Sequence, residues 1–150
     1  MLYSNNLARY IFFVLGMMLC HQITAQNIVP NPSFEDNINC PTGLDNVGGF
    51  PAGTSGDLGA WYNPTDGNPD YYNACVSSAT TAGVPTNFYG LQTTITGDAY
   101  AGFLAYDETN GSRDYLAAAL SEPMVAGNTY CIEFNVSLAE FTYVAVEEIA

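Results

Sequence analysis

The sequence predicts an all-β fold of antiparallel strands, on three observations. Residues 129–138 alternate strictly, with Tyr130, Ile132, Phe134, Val136 and Leu138 on one face and Cys131, Glu133, Asn135 and Ser137 on the other. That is the pattern of a half-buried antiparallel strand. Residues 98–107 alternate less sharply, and residues 37–84 are dense in Gly, Pro, Asn, Asp, Ser and Thr, the chemistry of turns between short strands.

The chain opens with Arg9 in a short polar start, an apolar run from Tyr10 to Leu19 broken only by Gly16, and Ile23-Thr24-Ala25 ending in a small residue. This order predicts that residues 1–25 are a signal peptide, cut after Ala25. A helix of about ten residues rises about 15 Å, half of a bilayer core of about 30 Å, so no membrane insertion is expected after cleavage. Cys20 follows Leu19, where a lipoprotein peptidase needs a small side chain, so it is expected to leave with the leader. Residues 26–150 are then one domain, large enough to bury a core.

From Asn87 the pattern tightens. Residues 98–107 set Tyr100, Gly102, Leu104 and Tyr106 against Ala99, Ala101, Phe103 and Ala105, a strand with two fairly apolar faces. Residues 114–120 suit a helix on propensity, yet Glu122-Pro123 stops them early and their neighbours read as strands, so a strand is expected. Residues 141–149 are apolar again, and the domain is expected to be incomplete at its C-terminal end, because an edge left there would be open to other strands.

Composition excludes several chemistries. The 150 residues hold 15 acids against 2 arginines and one histidine, a net charge of -13. Loss of residues 1–25 removes Arg9, His21 and Cys20 and leaves Arg113 as the single cation. Phosphate neutralisation cannot then drive binding, so nucleic acids and anionic lipids are poor partners. Without His there is no Ser-His-Asp or Cys-His machinery and no HExxH zinc site; without Lys there is no Schiff base and no P-loop. Catalysis would fall to carboxylates, and although 15 acids make many pairs, nothing marks two of them as a glycosidase couple. No catalytic residue is assigned.

Three cysteines follow the leader. Cys40 and Cys75 both lie in turn-rich segments, where a disulfide would tie down a long loop, and they are expected to pair; the alternative is three unpaired thiols. Cys131 sits in a strand pattern and is expected to be free.

Trp61, Tyr62, Tyr71 and Tyr72 cluster in the loop-rich half beside Asp66, Asn68 and Asp70. Sugars stack on aromatic planes while carboxylates and amides bind their hydroxyls, so Trp61, Tyr62, Asp70, Tyr71 and Tyr72 form the candidate ligand-binding set. The alternative places Trp61 and one tyrosine in the core. Asp66-Gly-Asn-Pro-Asp70 has the oxygen spacing of a calcium loop but has Tyr71 where an EF-hand needs Gly, and an Asx-rich turn is the simpler reading.

Two segments carry a resemblance. Asn27-Ile-Val-Pro-Asn-Pro-Ser-Phe-Glu35 and the Ala126-Gly-Asn-Thr-Tyr130 turn leading into residues 130–138 resemble the galactose-binding-like jelly roll of carbohydrate-binding modules, an antiparallel β-sandwich whose first strand carries an Asn-Pro-Ser-Phe-Glu type motif. With Cys40-Pro-Thr-Gly43, Ala60-Trp61, Pro69-Asp-Tyr-Tyr-Asn-Ala-Cys75, Gly83-Val-Pro-Thr-Asn-Phe-Tyr-Gly90 and Tyr100-Ala-Gly102, the chain is similar to the N-terminal domain of large secreted surface proteins of gram-negative bacteria associated with gliding motility. Such proteins end in an OmpA-like or a secretion-sorting domain, and neither is visible here. The resemblance implies an exported, extracellular or outer-membrane module that binds polysaccharide or surface glycan and has no chemistry of its own. A spacer that presents other domains is the alternative. It also implies a structural calcium held by Glu35, completed by a late acid such as Glu147 or Glu148; no other cofactor is suggested.

Overall fold

The computed structural model describes residues 26–50, 56–76, 81–107, 109 and 111–142. The leader and the apolar run beyond residue 142 lie outside them. Among the described residues there is no helix, and none long and apolar enough to cross a membrane. Six short strands form three antiparallel pairs: β1 (Trp61–Tyr62) with β6 (Ala117–Ala118), β2 (Asp70–Asn73) with β5 (Ala99–Gly102), and β3 (Thr86–Asn87) with β4 (Gly90–Leu91). The described residues are all-β, with small antiparallel pairs as expected from the sequence.

The β2–β5 pair is central, in the register Asp70 to Gly102, Tyr71 to Ala101, Tyr72 to Tyr100 and Asn73 to Ala99. All four residues of β2 are buried, although the run has no hydrophobic alternation. The edge of β2 opposite β5 is paired as well. Asn46 donates its Nδ2 to the Tyr71 carbonyl and accepts the Tyr71 N–H on Oδ1, so one side-chain amide stands where a neighbouring strand would. Val47 N donates to the Pro69 carbonyl and Asn73 N to the Ala82 carbonyl, completing that edge. Small residues on β5 give the rings room: a Cβ on Gly102 would lie 2.8 Å from Tyr72 Cε2. Tyr72 stacks on Tyr100 with 5.0 Å between centroids.

The apolar core is small. Val47, Leu58, Tyr71 and Ala99 form it, with Phe34, Trp61 and Leu116 packed against it. Buried asparagines extend it. Asn31 donates to the carbonyls of Asp36 and Gly59 and accepts the Asp36 N–H; Asn63 bonds Gly67 and Thr65; Asn73 accepts the Cys75 N–H. An amide offers both donor and acceptor, so it can close irregular backbone that no ladder reaches. No buried side-chain polar atom lacks a partner among the described residues.

Several expected strands are shorter or different. Residues 31–35 form a turn and not a strand: Phe34 N donates to the Asn31 carbonyl, and Asn31 and Phe34 adopt φ of 44° and 64°. Pro32 brings no N–H to a ladder, which favours this outcome. Residues 98–107 are strand only over β5, because the Asp114 carboxylate takes the Leu104 N–H that a continuing ladder would use. Residues 114–120 contribute only β6, and no helix.

The clearest expectation fails. Residues 129–138 join no strand, and both faces are exposed, with Ile132 at 79%, Phe134 at 61% and Val136 at 63%. Alternation specifies which face a strand would bury but supplies no partner, and no ladder forms along this segment among the described residues.

Candidate functional site

Cys40 and Cys75 form a disulfide with Cα atoms 5.9 Å apart, as their placement in two turn-rich segments suggested. It ties the loop after the first turn to the end of β2, directly beside the proposed aromatic cluster. Cys131 is an exposed free thiol.

The five candidate ligand-binding residues separate into an interior group and a rim. Tyr71 is fully buried; its hydroxyl donates to the Phe34 carbonyl at 3.1 Å and accepts Asn73 Nδ2 at 2.6 Å. Tyr72 is buried, and its hydroxyl donates to Asp70 Oδ2 at 3.0 Å. Asp70 Oδ1 accepts the Asp45 N–H at 2.7 Å. Burial pushes the Asp70 carboxyl above the usual carboxylate range, offset in part by those two hydrogen bonds. Burial likewise raises the Tyr71 and Tyr72 hydroxyls, the second further because of the Asp70 charge. Both rings and the carboxylate are enclosed by protein, so none presents a face to a sugar. The rings are covered by side chains packed on the two faces of β2: Tyr71 lies in the cluster with Val47, Leu58 and Ala99, and Tyr72 stacks on Tyr100.

Trp61 is half-buried, its ring 5.1 Å from Phe34 and its Nε1 donating to the Asn31 carbonyl at 2.9 Å. This matches the reading in which Trp61 and a tyrosine belong to the core. Tyr62, next along β1, points elsewhere. It meets Phe50 edge-on, with centroids 5.1 Å apart and planes at 63°, and Phe50 is 73% exposed. The bridge between Gly49 and Asn63 sets the two residues side by side. Phe50 was not in the sequence-based set; its signal is an isolated aromatic after Gly48-Gly49 in a run of turn residues, where no periodicity assigns it a buried face.

Beyond Tyr62 the turn closed by the Asn63 amide on the Gly67 carbonyl carries Asp66 toward a recess of about 230 Å³ lined by Asp45, Asp66, Asp107, Asp114, Asn68 and Tyr89, among others. Asp114 accepts the backbone N–H groups of Asn68 and Leu104, both at 2.8 Å, and Asp107 accepts that of Thr109. The Tyr89 hydroxyl is pushed up by burial first and then by the charges of Asp70, Asp45 and Asp114. Asp114 thus fastens two loops together, and Asp107 closes a local turn. Among the described residues no group of three or more His, Cys, Asp or Glu side chains is arranged to hold a metal.

Glu35 has a local role. Its carboxylate accepts the N–H groups of Asp98 and Ala99 at 3.0–3.2 Å, over Gly97 at φ 66°, where a Cβ would collide with it. It is a clamp from the first turn to the start of β5. Glu147 and Glu148, the acids suggested to complete a calcium site, lie outside the described residues.

No family model, curated protein or solved structure matches the chain.

Proposed function

We propose that this chain is a non-catalytic, exported β-sandwich module of jelly-roll type that binds surface glycan through the Phe50–Tyr62 edge as part of a larger surface protein. The observation that carries the reading is the exposure of Phe50, held edge-on against Tyr62 beside a turn of hydrogen-bonding residues. An aromatic pair at a loop rim gives a sugar ring an apolar face to stack on. The interior groups are engaged elsewhere: Tyr72 bonds Asp70, Asp70 also accepts the Asp45 N–H, and Tyr71 bonds the Phe34 carbonyl and Asn73. A disulfide accords with export to an oxidising compartment.

Affinity electrophoresis through gels containing a panel of polysaccharides tests this. At least one polymer is expected to retard the protein, with retardation lost in Phe50→Ala and in Tyr62→Ala while melting temperatures stay unchanged. Retardation by no polymer, or retardation that both variants preserve, refutes the assignment; the first result favours a spacer that presents other domains.

A further inference from the structure

We infer that the glycan met by the Phe50–Tyr62 edge carries no acidic groups: a neutral polymer, and not a uronate or sulfate. This inference rests on the glycan-binding reading above and adds the ligand's charge class. A sugar carboxylate or sulfate is bound through charge-assisted hydrogen bonds from Arg, Lys or His, and such donors are what the chain lacks. It has no lysine, and Arg113 is the sole Lys or Arg among the described residues. That guanidinium lies 5.0 Å over the Tyr106 ring and donates to the Ala105 carbonyl, so it is turned onto its own loop although its backbone passes beside Gly67.

The surroundings of the aromatic pair add repulsion. Asp66 in the turn after Tyr62 faces the recess it shares with Asp45, Asp107 and Asp114, and the whole chain carries -13. A polyanion threading past Tyr62 brings like charges toward these carboxylates with nothing to neutralise them. A neutral pyranose meets no such cost: stacking and hydroxyl contacts are independent of charge. The recess itself is not proposed as a binding site.

The test compares neutral glucan, xylan, mannan and galactan with polygalacturonate and a sulfated galactan, each at about 10 mM and about 1 M salt, where the screening length falls from about 30 Å to about 3 Å. A neutral polymer is expected to retain the chain equally at both salts, and to lose it in Phe50→Ala. The acidic polymers are expected to bind at least about tenfold more weakly at low salt, where repulsion is least screened. Retention by an acidic polymer at low salt as strong as by any neutral one, lost in Phe50→Ala, overturns the charge class and leaves glycan binding standing. Retention by none of the six removes both.

Discussion

Replacing Tyr71 separates a core residue from a binding residue. Its side chain is fully buried, and its hydroxyl joins the Phe34 carbonyl to the Asn73 amide. Tyr71→Phe keeps the ring and removes that link. One Asn73 N–H is then left buried without a partner and the part-buried Phe34 carbonyl loses its donor, for an expected cost of about 1–3 kcal/mol. Tyr71→Ala also removes the ring from the cluster with Val47, Leu58 and Ala99, and a buried aromatic truncated to alanine costs about 3–5 kcal/mol. Domains of this size are stable by about 5–15 kcal/mol, so the alanine variant is expected to lose a large share of its stability. Urea titrations followed by Trp61 fluorescence read both changes, because Trp61 is the single tryptophan and packs on Phe34, whose carbonyl Tyr71 holds. A Tyr71→Phe variant within about 0.5 kcal/mol of the parent would refute the core assignment. Loss of glycan retention in that equally stable variant would go further and return Tyr71 to the binding set.

The Cys40→Ser/Cys75→Ser double variant is expected to lose about 4 kcal/mol, the chain-entropy value for a sequence separation of 35, and an unchanged urea midpoint would show that the crosslink constrains nothing. Asp70 has its native pKa raised by burial above an unfolded value of about 3.9, so the folded state holds the proton more tightly and stability falls as pH rises through that window. Asp70→Asn is therefore expected to flatten the decline in melting temperature between the two pKa values, and a slope identical to the parent's would refute it. Glu35→Ala frees two backbone N–H groups at the start of β5 and is expected to cost about 2 kcal/mol with or without calcium; a cost seen only when calcium is present would make Glu35 a metal ligand instead.

What the sequence made legible was its punctuation. Gly, Pro, Asn and Asp density between residues 37 and 84 announced short strands and turns, and two cysteines inside that density announced their own pairing. What it hid was the interior. Asp70-Tyr-Tyr-Asn73 reads as a polar loop edge with aromatics to spare for a ligand, since no alternation marks a buried face. Its backbone is paired by Asn46, a residue 25 positions earlier whose amide imitates a strand, and its rings pack on Val47, Leu58, Ala99 and Tyr100, contacts that no local pattern reports. The reverse error occurs at residues 129–138. There the local pattern is as strong as any in the chain, but a strand exists only in a ladder, and a period of two names no partner.

The same polar interior limits where this chain can meet another molecule. A core of four buried apolar residues is too small to fix loops by packing alone, so side-chain amides, carboxylates and hydroxyls take over that task. Each group so used is withdrawn from solvent: Asp70 and Tyr72 satisfy each other, Asn31 and Asn46 satisfy backbone, Asp114 joins two loops. Polar residues that look like binding chemistry in the sequence are thus the framework itself. Recognition must then rely on side chains that the framework does not need. Phe50 is such a side chain among the described residues: it is 73% exposed, and its neighbour Tyr62 gives it an edge to lie against.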